Sequence, residues 1–134
     1  MRNQIKQMLI TAALVPLFLA SLPSWAANDP SIKGNLRTNI KASMSEFING
    51  QTVGQTFRIY DPVEDKMYKL KLDKLHDGIV KKGDFYVSCA DLVDAKGRKF
   101  DLDFLVLSDG NKLVATQAVI HSVDGKKRKY HLEN

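Results

Sequence analysis

A single cysteine, Cys89, stands in 134 residues, so no disulfide can close within the chain and its core must hold the fold. Cys89 therefore reads as a buried small hydrophobe, an intermolecular pairing site or a reactive thiol. Glycines number eight and prolines four, which excludes collagen-like and low-complexity compositions. No G-x-S-x-G, H-E-x-x-H, P-loop or G-x-G-x-x-G motif occurs, which removes the signatures of many hydrolases, zinc proteases and nucleotide binders. After one apolar run near the N-terminus there is no second, so nothing later in the chain reads as a membrane span.

That run is framed like a leader. Arg2 and Lys6 precede Met8–Leu22, which Thr11, Pro16 and Ser21 interrupt, and Ser24-Trp25-Ala26 puts small residues at −3 and −1. The pattern predicts a secretory signal peptide over residues 1–26, cleaved after Ala26, with an uncleaved anchor as the alternative. The expected mature protein, 27–134, is soluble and exported, periplasmic or secreted, with no membrane anchor after cleavage. Of the 20 basic residues, Arg2 and Lys6 fall in the leader, which leaves 18 against 15 acidic and a net charge of +3. So small an excess, spread along the chain, gives no reason to expect a nucleic-acid partner.

The remainder reads as one α+β domain. Asp29-Pro30 suggests a helix start, with Asp as N-cap and Pro in the first turn. Ile32, Leu36, Ile40, Met44, Phe47 and Ile48 then recur at helical spacing. Gly50 fits the residue just past the helix, and Gly34 suggests close approach to a neighbouring sheet. The period then drops to two. Strands are predicted over Thr56–Tyr60, Lys66–Leu75, Phe85–Val93, Lys99–Leu107, Lys112–Val123 and Lys126–Leu132, with His76–Gly83 as a loop or short excursion. Asp109-Gly110 and Asp124-Gly125 read as two-residue turns. The fold expected is one N-terminal helix packed on a curved antiparallel meander sheet of about five or six strands.

Register decides what meets what. A turn over Asp94–Gly97 that pairs Val93 with Arg98 sets Asp91 against Phe100 and Cys89 against Leu102. The rival register sets Asp91 against Asp101, two like charges face to face, which is unfavourable. The first register, continued through the later turns, puts Cys89, Leu102 and Phe104 under the helix. It gathers Asp91, Arg98, His121 and Arg128, with Tyr130 nearby, at one end of the inner face. Arginine forks suit carboxylates and phosphates, so that end is a candidate cleft for a small anionic or peptide-carboxylate ligand, with a solvated rim as the plainer reading. Arg98 and Arg128 would grip the anion, His121 would donate in a pH-sensitive way, Tyr130 would form a wall, and Asp91 would hold an arginine.

Other motifs offer less. Asp101-x-Asp103 puts two carboxylates on one strand face, too few for Ca²⁺, and His76, His121 and His131 lack zinc spacing. No metal and no cofactor is expected. Cys89 with His121 and an aspartate would make a nucleophile, base and orienter, but in this register Cys89 is buried mid-strand, away from His121. One helix followed by a meander resembles the cystatin-like class of folds, and less closely the NTF2-like one, over most of residues 27–134. Cystatin inhibitors carry a Q-x-V-x-G hairpin, and Gln51-Thr52-Val53-Gly54-Gln55 is similar, with its Gly one place early. The function expected is a non-catalytic exported binding protein for a small anion or a partner protein. A Cys89-dependent thiol enzyme or redox protein, and a protein–protein accessory or inhibitor-like module, are the alternatives.

Overall fold

A computed structural model describes residues 27–130. The expected signal peptide and residues 131–134, which include the end of the final predicted strand (Lys126–Leu132), lie outside the described residues. No described helix is long and apolar enough to cross a membrane.

Asp29-Pro30 does not open the helix. The Asp29 carboxylate instead accepts the Ser31 N–H at 2.9 Å, and the Ile32 N–H bonds the Asp29 carbonyl at 3.1 Å. Such a local aspartate turn competes with helix geometry. Helix α1 runs Gly34–Gly50 and is entered through Gly34 at φ +58°. A Cβ on Gly34 would meet nothing within 4 Å, so this glycine serves the left-handed backbone and not a close approach. Gly50 closes the helix without a left-handed φ, and Gln51 follows as the cap. Ile40, Met44 and Ile48 bury the expected stripe, while Leu36 is exposed.

The strands are β1 (Thr52–Val53), β2 (Thr56–Asp61), β3 (Lys66–Lys82), β4 (Phe85–Val93), β5 (Lys99–Asp109), β6 (Lys112–Val123) and β7 (Lys126–Lys127). They form one seven-stranded sheet in sequence order with every pairing antiparallel, an α+β fold with slightly more strands than predicted. The sheet is concave toward α1. Phe47 of α1 lies 6.3 Å from Phe57 on β2 and 6.0 Å from Phe104 on β5, ring centre to ring centre. Tyr68 on β3 and Phe100 on β5 meet at 4.7 Å across the intervening β4. The sheet curls far enough for Arg128, just past β7, to reach Asp61 at the end of β2, 2.5 Å away.

The β4–β5 register is the one set aside above. Asp94 accepts the N–H groups of Lys96 and Arg98, each at 2.9 Å, and the Arg98 Nε–H at 2.8 Å. This side chain makes Asp94 and Arg98 the two ends of the loop, so Val93 pairs with Lys99, Asp91 with Asp101 and Cys89 with Asp103. The Asp109-Gly110 turn also shifts: Asp109 pairs with Lys112, so Gly110-Asn111 makes the turn. Asp124-Gly125 is a two-residue turn as predicted, between Val123 and Lys126.

Four irregularities complete the sheet. β3 carries an extra residue at Asp73 and two more within His76-Asp77-Gly78, because Leu75 pairs with Ala90 and Ile79 with Ser88. The expected loop or short excursion over His76–Gly83 is therefore, up to Lys82, a bulged part of one long strand. β6 carries an extra Thr116 and an extra His121. Each bulge tilts the local strand and re-aims side chains.

Candidate functional site

Paired residues of antiparallel strands share a face. Leu92, Ala90 and Ser88 on β4 pair with Phe100, Leu102 and Phe104 on β5, and Phe104 touches α1, so this is the helix face. Asp91, Cys89 and Val87 pair with Asp101, Asp103 and Leu105 and belong to the opposite, outer face. Cys89 and Val87 are buried yet lie outside the main core cluster. The placement of Cys89 under the helix is thus corrected, and the reason is the one-residue shift that Asp94 imposes.

The bulges bring two histidines to this outer patch. His76 Nε2 lies 3.0 Å from Asp91 Oδ1, and Lys99 Nζ lies 3.3 Å from Asp91 Oδ2. The Cys89 thiol donates to Asp103 Oδ1 at 2.9 Å. His121 Nδ1 lies 3.1 Å from Asp103 Oδ2 and 3.2 Å from Oδ1. Asp103, Cys89 and His121 are 0%, 1% and 5% exposed and make a buried floor. His76, Asp91 and Asp101 stand half-buried above it. The ligand-capable atoms of His76, Cys89 and Asp101 all lie within 4.8 Å of one another.

Asp101 is the least settled member. Its Oδ1 is buried and has no hydrogen-bond partner. Burial, first, pushes its carboxyl pKa up to about 6; His76 and His121 pull it down, while Asp103 and Asp91 push it further up. From the helix side, burial lowers the Lys41 pKa, and Asp77 and Cys89 act to raise it. The Lys41 ammonium is likewise buried without a hydrogen-bond partner.

The bulge that carries His76 is tied to the start of the helix. The Asp29 N–H bonds the Ile79 carbonyl at 2.7 Å, the Ile79 N–H reaches Asn28 Oδ1 at 3.3 Å, and the Arg37 guanidinium donates to the Asp77 carbonyl and to Asn28 Oδ1. Core packing of α1 thereby fixes the segment that aims His76.

The five residues expected to line an anion cleft divide between two places. Asp91 and His121 are in the outer patch, and Asp91 holds a histidine and a lysine in place of an arginine. Arg98, Arg128 and Tyr130 remain at the concave mouth. There Arg98 bonds Asp94 at 2.8 Å and lies over the Tyr68 and Phe100 rings, 5.3 and 5.5 Å from their centres. Arg128 bonds Asp61 at 2.5 Å and lies 3.5 Å from Glu64. The Tyr68 hydroxyl donates to Glu64; that bond, then both arginines, hold the Glu64 carboxyl below its usual range against some desolvation. Burial raises the Tyr130 pKa, with Asp61 adding and Arg128 opposing. Beside this mouth an open pocket of ≈ 490 Å³ is lined by Tyr60, Pro62, Leu105, Val119 and Tyr130 among others, with mostly apolar walls.

Sequence reasoning passed over His76, Asp101 and Asp103 as site members. A signal for His76 was present: a glycine inside an otherwise strand-like run marks a bulge, and Gly78 follows it by two. No protein family, curated protein or solved structure matches the chain.

Proposed function

We propose that this chain is a small exported binding protein whose ligand is taken on the outer face, by His76, Cys89, Asp91 and Asp101 above the Asp103–His121 floor. One observation carries the reading: Asp101 keeps a buried, unpartnered carboxylate oxygen directly across from a second carboxylate, Asp91. A fold gains nothing from such a pair. Where local rules are broken and the surroundings are built to hold the break, a functional site is the physical expectation. Here bulges on two strands supply those surroundings.

Binding is favoured over thiol catalysis. The Cys89 proton is directed at a carboxylate, whose negative charge opposes the thiolate a nucleophile needs. The arginine mouth is the poorer receptor, because both guanidiniums already hold carboxylates. An anion would have to displace them.

The test is the thermal stability of Asp101→Asn at pH 7. The variant removes the buried charge and keeps the shape, so its Tm should rise, as it does when a site has been maintained against stability. A lower Tm would mean that the carboxylate is structural and would overturn the reading. Rapid alkylation of Cys89 in the native state would instead favour the thiol-enzyme alternative.

A further inference from the structure

Resting on the outer-face reading, we infer that the ligand is a divalent transition-metal cation of the zinc class, held directly by His76, Cys89 and Asp101. Their ligand-capable atoms lie within 4.8 Å of one another. Zinc bonds of about 2.0–2.3 Å in a tetrahedral arrangement place ligands roughly 3.5 Å apart. Side-chain rotations must close the difference, and His76 and Asp101 are the two members that are only half-buried.

The donor set selects the cation. One sulfur, one imidazole nitrogen and one carboxylate oxygen suit zinc and its neighbours. Calcium and magnesium require oxygen ligands, in greater number. The supports follow the same chemistry. Asp91 holds His76 through Nε2 at 3.0 Å, which leaves Nδ1 for the cation, the carboxylate–histidine pairing that fixes a ring for metal binding. The unpartnered Asp101 oxygen gains a partner when the cation enters. Three protein ligands leave a fourth position for water or a small ligand.

Binding exchanges the Cys89 thiol proton for the metal: the S–H bond breaks, a metal–sulfur bond forms, and one proton leaves for solvent. No electrons change hands. Asp103, which accepts the thiol hydrogen at 2.9 Å, and His121 line the floor beneath that exchange.

Cobalt(II) is the probe, because thiolate ligation gives it a near-ultraviolet charge-transfer band. Titration of the purified protein should develop that band to a plateau at one equivalent, and zinc should then erase it. Asp91→Asn should weaken cobalt binding roughly 10-fold or more, as loss of a supporting carboxylate does. His76→Ala and Asp101→Asn should weaken it further, and Cys89→Ser should abolish the band. Because Cys89→Ser also alters a bond within the buried floor, His76→Ala is the decisive variant. No band with excess cobalt, or a band of unchanged affinity in both His76→Ala and Asp101→Asn, would overturn the metal assignment. Such a failure is separate from that of the outer-face reading, which a fall in Tm for Asp101→Asn would show.

Discussion

Asp91 on β4 and Asp101 on β5 face each other directly across the strand pair. The repulsion is divided unequally. His76 and Lys99 surround the Asp91 carboxylate, at 3.0 and 3.3 Å, whereas Asp101 keeps a buried oxygen without a partner. Two like charges can occupy such a position when one is compensated and the other is readily protonated.

A pH dependence follows from Asp101. Burial holds its folded pKa near 6, above the ordinary 3.8. Between those values the folded chain keeps the proton and the unfolded chain has lost it, so raising the pH through this window favours unfolding. The stabilising contribution is complete below about 4 and lost above about 6. Melting curves of the wild type and Asp101→Asn should therefore diverge across this window, with the variant ahead at pH 7 by about 1 kcal/mol once solvent screening of the partly exposed group is allowed for. Parallel curves would contradict the placement of Asp101.

Gly34→Ala should destabilise the chain. On helix propensity alone the substitution would gain about 1 kcal/mol. At φ +58° it should instead cost about 1 kcal/mol, the penalty of a side chain in the left-handed region. Urea unfolding reads the sign directly, and a raised midpoint would contradict the entry geometry of α1.

The contrast at Gly34 illustrates how much was legible. The helix stripe and the strand periodicity follow from single-residue properties, and they led to the right fold class. Register depended on one side chain: Asp94 could close its loop at Arg98, and periodicity does not register that. The bulges at His76–Gly78 and His121 cost only one or two residues each, so alternation read through them carries the wrong face forward. The site was hidden for this reason. Cys89, Asp91 and His121 were singled out, but on the wrong face, and His76, Asp101 and Asp103 became their neighbours only through bulges and a shifted loop.

Arg128→Ala should be among the most damaging single changes at the concave mouth. Asp61 is fully buried, and Arg128 bonds it at 2.5 Å. Removing one partner of a buried ion pair typically costs ~3–5 kcal/mol, because the other charge is left without compensation. Adding Asp61→Asn to Arg128→Ala should recover part of that loss in equilibrium urea unfolding. Additive effects of the two substitutions would mean that the pair does not close the curled sheet.

The most direct test of the outer-face account is the carboxyl-carbon NMR titration of Asp101 in the wild-type protein. A buried, unpartnered carboxylate facing Asp91 should titrate near pH 6. A midpoint at the ordinary 3.8 would mean that Asp101 is solvated, and the outer-face site as described here would not exist.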